Sequence, residues 1–398
     1  MNTRPWRWAS ALLAATFAAG CAAPPATFVA PHRGSGDLGL VIERASGSLG
    51  VVDTSARRRL GTIEGLGDLS HASVVYGRDG ARAYVFGRDG ALTRVNLLTG
   101  RIEGRVRQAG NSIGGAISQD GTLVVAQNYQ PGGIKVFDAR TLALVADIPA
   151  VVDGKPSRVV GLADLPGNRF IFSLFDAGQI WIADLSDPAR PALTRFLDIG
   201  KQPYDALVTP DGRHYIAGLF GEDGLAKIDL WAEPPRVERI LAGYGRGEQP
   251  LPVFKMPHLR GWAVAGRHAW LPAIGRREVL VVDTATWQEV ARVPVAGQPV
   301  FVMARPDGRQ VWVNFAVPDY DTVQVIDTQT RQVVRDLKPG KAVLHMEFTP
   351  RGEAVWISAR DDHRVSVIDT RSFQTLAELP ARSPSGIFFS ARAARSGF

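Results

Sequence analysis

The residues best suited to chemistry in this 398-residue chain are its histidines, with a few arginines and tyrosines around them. Seven histidines stand against a single cysteine, so imidazole is the ligand type the chain offers to a metal. Their spacing is informative. Counting back from a recurring turn glycine, His71 lies nine residues before Gly80, Arg158 nine before Gly167, and Tyr204 eight before Gly212. His258 lies eight before Gly266, Val300 eight before Gly308 and His345 seven before Gly352. Equivalent places in a repeat thus carry mostly polar side chains. Two imidazoles, His71 and His258, facing each other across a central cavity would grip a flat metal complex standing edge-on between them, or act as its acid and base. Arg88 (in FGRDG) and Arg158 offer planar forks for the carboxylates of a macrocycle. Tyr129 (in QNYQPGG) adds a ring that stacks or hydrogen bonds, and Tyr204 and His345 complete the expected lining. His214 and His268 follow turns on the opposite face and are expected at the surface. His363, in the charged run RDDHR, is expected in solvent.

What positions these residues is a repeat. Eight apolar runs, SLGVVDT, LTRVNLL, IKVFDAR, IWIADLS, LAKIDLW, VLVVDTA, VQVIDTQ and VSVIDTR, each close on Asp or Asn followed by a turn. The closing residues, Asp53, Asn96, Asp138, Asp184, Asp229, Asp283, Asp327 and Asp369, are 43, 42, 46, 45, 54, 44 and 42 residues apart. A period of about 40–50 residues with several short strands per unit predicts the blades of a β-propeller. Before each run comes a glycine turn such as GRDG, PDG or PRG and another apolar stretch. A unit therefore reads strand A, turn, strand B, variable loop, strand C, tight turn, strand D, loop. The fold class is all-β, an eight-bladed propeller. The chain enters with strands B and C of a blade that lacks its A strand, and it ends on SGIFFSARA. Residues Ile387–Arg392 are therefore expected to complete the first blade and remove an open sheet edge. B–C and D–A loops are the longer, more varied ones. The functional face should be theirs, with the openings of the A strands lining the mouth of a central funnel.

The leading residues differ from the rest. Arg4 and Arg7 precede an apolar stretch, Ala9–Ala19, too short to span a bilayer, and Ala18-Ala19-Gly20 stand before Cys21. This pattern predicts a signal over residues 1–20, a lipidated Cys21 with a tether over 21–36 that includes His32, and the propeller over 37–398. Export to the periplasm and attachment to a membrane through Cys21 follow as expectations. One cysteine excludes an intrachain disulfide and the C-x-x-C-H attachment of a covalent haem. The net charge is +7, and no basic stripe is interleaved with aromatics, so nucleic acid is not an expected partner. Arg57-Arg58-Arg59 reads as a surface turn.

The stretch SHASVVYGRDGARAYVFGRDGALTRVNLLTG resembles the start of the d1-haem domain of cytochrome cd1 nitrite reductase, and the likeness extends through AQNYQPGGIKVFDARTL and KMPHLRGW. The resemblance implies an eight-bladed propeller with a non-covalent d1-type haem or iron-tetrapyrrole precursor in its funnel. It implies His71 as the proximal ligand or its equivalent, Arg88 as the arginine of the GRDG element and His258 as a distal histidine. Val300 stands where the reductase carries a second distal histidine, and no cytochrome c domain is present, so nitrite reduction is not implied. A lone, exported propeller is most similar to haem d1 biosynthesis proteins of the NirF type. That implies a late haem d1 precursor derived from didecarboxysirohaem as substrate, and other haem d1 biosynthesis proteins and a c-type cytochrome as partners. A carrier that hands the tetrapyrrole on without changing it, and a YVTN-type propeller for protein contacts, are the competing readings.

Overall fold

Each strand C ends on an Asp or Asn because that side chain builds the next turn. The Oδ1 of Asp327 accepts the backbone N–H groups of Gln329 and Thr330 at 3.0 and 2.7 Å, and Asp53, Asn96, Asp138, Asp283 and Asp369 repeat the pattern. This is a side chain standing in for a backbone turn. The residue four places on then takes the left-handed conformation, as at Arg57, Leu142, Trp287, Arg331 and Phe373. Its N–H returns to the carbonyl of the Asp at Asp138, Asp283, Asp327 and Asp369.

The computed structural model describes residues 35–245 and 262–395. His258, Cys21, His32, the expected signal and nearly all of the expected tether lie outside the described residues. Among the described residues, eight four-stranded antiparallel sheets form, together with a small hairpin of Val151–Val152 and Lys155–Pro156. In chain order, the A strands of blades two to eight are Ser73–Tyr76, Asn111–Ile117, Val159–Leu165, Pro203–Val208, Ala263–Ala265, Pro299–Ala304 and Val343–Phe348. The A strands of blades two to five, and of blades six through eight to one, pack against one another in sequence around the axis, with B, C and D following outward. Blade one pairs Arg58–Ile63, Ser48–Asp53 and Leu38–Glu43 with the last strand of the chain, Pro384–Phe389, as its innermost member. The closure expected from the sequence is present. The strand both starts and ends three residues earlier than expected, and it ends at Phe389 because the chain turns into a 3-10 helix at Ser390–Ala394.

The core lies between blades rather than within one. Trp270, Trp312 and Trp356 take the same place on the B strands of blades six, seven and eight, and all are fully buried. The start of the described chain is pinned at the A–B-turn face. Ser390 Oγ donates to the Ser35 carbonyl, and Ser35 Oγ donates to that of Asp79, in the A–B turn of blade two. Arg78, in the same turn, donates to the carbonyls of Ile117, Ser118, Ala393 and Arg395. One guanidinium thus ties blade two, blade three and the C-terminal turn together beneath the channel.

Two sequence expectations need correction. His214 is buried, not superficial: it is the first residue of a B strand whose ring stands edge-on to Trp287 at 5.7 Å. Tyr129 is not in a loop, because strand B of blade three runs on through it to Gln130. The basic run is at the surface at Arg57 and Arg58, but only Arg57 lies in the turn: Arg58 and Arg59 open strand D of blade one, and Arg59 reaches back across the sheet. It makes two 2.8 Å bonds to the buried carboxylate of Glu43.

Candidate functional site

The A strands carry β-bulges at their opening ends. Register slips between Asn111 and Gly114, Val160 and Ala163, Pro203 and Ala206, Pro299 and Phe301, and Val343 and Met346. A bulge adds a residue and re-aims a side chain. Tyr204, Asp205, Val300 and His345 all lie in these slips. At Gly161 the backbone is left-handed (φ +62°), and a Cβ there would lie 2.8 Å from the Tyr204 carbonyl.

Four of the residues singled out in the sequence converge on one side of the mouth. The hydroxyls of Tyr129 and Tyr204 share a hydrogen bond although they belong to blades three and five. Burial pushes both phenols above their ordinary range, with Asp205 opposing ionisation and Arg158 favouring it. Arg88 also acts on Tyr204, so its charge reaches the same corner. Arg88 is half-buried in the B–C turn of blade two, with its backbone N–H donating to the Asp68 carbonyl at 2.9 Å. Arg158 is engaged already. It bonds Asp176 through Nε at 3.0 Å and Nη2 at 2.5 Å, and its guanidinium lies 4.2 Å from the Phe175 ring centre. Phe175, Tyr204 and Phe220 form a three-ring edge-to-face cluster with centroids 5.7–5.8 Å apart. The result is a cationic, aromatic corner.

His71 is exposed in the loop that enters strand A of blade two. Close by along the A strands, Ser73 Oγ and Asn111 Oδ1 are buried and have no hydrogen-bond partner. His345 sits across the mouth, between rings. It stacks on Phe388 at 5.6 Å and meets Phe301 edge-on at 6.1 Å. The backbone N–H of Ile387 donates to its Nδ1 at 3.2 Å, which leaves the ring proton on Nε2. The ring is therefore a neutral donor, suited to an oxygen of a ligand rather than to a metal. Burial, then the Arg392 charge, push its pKa down to about 4.

That depression fixes a pH dependence. Between pH 6.5 and about 4 the unfolded chain binds a proton at His345 that the folded chain does not, so stability falls as pH falls through this window. The expected loss is roughly 2–3 kcal/mol, discounted because the residue retains some exposure. His345→Gln keeps an acceptor for Ile387 and removes the titration. Urea unfolding of both proteins from pH 7 to 4 should show the variant with the flatter acid limb; parallel limbs would refute the assignment.

Sequence reasoning missed Asp205, Phe301 and Phe388. Phe301 and Phe388 lie on the A strands of blades seven and one, which flank the blade of His345, and they stand at different registers, so the repeat gave no sign of them. His363 is exposed as expected, with Nδ1 accepting the Ser383 N–H at 3.1 Å.

Comparison with known proteins agrees with this fold. Residues 33–393 match the family model of the cytochrome D1 haem domain. The chain is 60% identical over 370 residues to Protein NirF of Stutzerimonas stutzeri, covering 92% of this chain and 95% of that protein. It is 58% identical over 400 residues to Protein NirF of Pseudomonas aeruginosa, covering 100% of both. The fold is shared with a solved dihydro-haem d1 dehydrogenase, NirN, in complex with DHE. That match has a TM-score of 0.80 at 24% identity, over 94% of this chain and 79% of that one. The propeller, its closure and its polar mouth thus occur in a chain that belongs to the NirF family of cytochrome D1 haem-domain proteins.

Proposed function

We propose that this protein acts in haem d1 biosynthesis, taking a late haem d1 precursor, an iron tetrapyrrole derived from didecarboxysirohaem, into the funnel and helping to convert it. The observation that carries this reading is the gathering of Arg88, Arg158, Tyr129 and Tyr204 into one corner of the mouth, in a chain of the D1 haem-domain family. The residues fit such a substrate. Arg88 and Arg158 place positive charge where carboxylates would dock. The unpartnered Ser73 Oγ and Asn111 Oδ1 await polar groups that water or a ligand supplies. His71 is the exposed imidazole for the iron, and His258 the opposing ligand or proton donor. His345 offers Nε2–H to an oxygen at the ring edge. Tyr129 and Tyr204 hold their protons at neutral pH and serve as donors rather than bases. The iron of the substrate supplies the coordination site, and the protein supplies orientation and proton donors.

The same reading puts the protein in the periplasm, removes residues 1–20 and anchors it to a membrane through lipid on Cys21. Other haem d1 biosynthesis proteins, and a c-type cytochrome as electron partner, are the proposed contacts. Mass spectrometry of the membrane-extracted protein should find a diacylglyceryl-modified Cys21 at the N-terminus.

Titration of the purified protein with d1 haem and with dihydro-haem d1, followed by absorbance, tests the binding. A saturable spectral shift is expected with at least one of them. His71→Ala should remove the shift and weaken binding by about tenfold or more. An unchanged spectrum with both would overturn the tetrapyrrole reading. Tight binding of a precursor that pure protein never alters would make the protein a carrier.

A further inference from the structure

The A–B-turn half of the central channel holds a second cavity, of about 480 Å³, away from the mouth described above. Leu207, Trp262, Val264, Met303 and Phe348 make its apolar wall, and Arg305, Arg392 and Arg395 stand around it with Glu347 and Asp307. The volume is that of a small-molecule site, and apolar walls with a few polar groups are the usual make-up of one. Two observations point to an occupant. The indole Nε1–H of Trp262, in a residue only 7% exposed, is buried without an acceptor. Among the described residues the lining holds three guanidiniums and two carboxylates, with Arg305 3.3 Å from Asp307 and Arg392 bonded to Glu347.

We propose that this cavity binds a compact, flat carboxylate, distinct from the tetrapyrrole of the funnel. The apolar body of the ligand lies against Trp262, Met303 and Phe348, and its carboxylate accepts from the Trp262 indole and draws on Arg392. Arg392 now bonds Glu347 through Nε at 2.8 Å and Nη2 at 2.5 Å. The same guanidinium lies 5.0 Å from the ring centre of Phe388, the ring that stacks on His345. An occupant that shares Arg392 with Glu347 therefore alters the charge felt at His345. The two ends of the channel are joined through Arg392, Phe388 and His345, and this link does not depend on what the funnel holds.

The test is calorimetric titration of the full-length protein with 2-naphthoate. One saturable site is expected, with the neutral 2-naphthalenemethanol binding about tenfold more weakly. Glu347→Gln frees Arg392 and should tighten binding several-fold. Val264→Trp and Met303→Trp each fill the cavity and should abolish binding; using two variants guards against one that misfolds. On addition of 2-naphthoate, the His345 imidazole resonance should move. The proposal is overturned if 2-naphthoate gives no saturable heat, or if either folded filling variant binds as wild type does. Equal affinity for the alcohol, or a His345 resonance that stays put at saturation, would overturn it too.

Discussion

A chain ending at Ala381 should not fold. The missing strand carries Ile387, Phe388 and Phe389, which are 0%, 9% and 2% exposed. Phe389 packs edge-on against the buried Trp356 of blade eight at 5.6 Å. Truncating a single buried Phe or Ile in a core costs about 2–5 kcal/mol. Three together reach the whole net stability of an ordinary protein, about 5–15 kcal/mol. The loss is also topological. Strand Leu38–Glu43, buried along its whole length, would become an open edge next to the axis, where it invites pairing with other chains. Size-exclusion chromatography and circular dichroism should show aggregated or unfolded material. A truncated protein that elutes as a monomer and melts near the wild-type temperature would disprove that closure holds the ring. Phe389→Ala, a milder form of the same lesion, should cost about 3–5 kcal/mol in urea unfolding.

The second large effect is expected at Arg392. Glu347 is 5% exposed and its two oxygens are held by this one guanidinium. Arg392→Met leaves the carboxylate buried without its partner, and breaking a buried pair in this way costs about 3–5 kcal/mol. Removing both charges should be much less damaging. Arg392→Met combined with Glu347→Leu should regain most of the loss, because neither charge is then stranded. A double-mutant cycle by urea denaturation measures the coupling. If Arg392→Met alone unfolds at wild-type urea concentrations, the pair is incidental. The surroundings are buried: burial pushes the Tyr76 hydroxyl well above its ordinary range, and that hydroxyl donates to the Phe388 carbonyl at 2.6 Å.

The fold was legible because one turn is built the same way over and over. An Asp or Asn that accepts two backbone N–H groups leaves a mark in the sequence at each strand C, and strand counts follow from it. The site was legible in its members but not in its arrangement. The count back from each turn glycine drifts from nine to seven although the bulges of blades four, five, seven and eight each insert one residue, so the residues counted do not hold equivalent places on their strands, and a bulge has no fixed sequence sign. Tyr129 and Tyr204 lie 75 residues apart on non-adjacent blades, so their shared hydrogen bond appears only when the ring closes. Glu347 and Arg392 are brought together by the closing strand in the same way. His214 was misplaced because following a turn was taken to mean facing solvent, whereas the first residue of its strand already packs against the next blade.

Ser35 enters beneath blade two, on the side of the ring opposite the funnel. Whatever holds the protein by its leading segment therefore holds it by its underside. With the lipid anchor proposed at Cys21, such a molecule would stand like a bowl on a stalk, with its rim turned away from the membrane. Cargo would arrive and depart through that free rim, and a protein that collects it need never approach the surface to which the stalk is fixed.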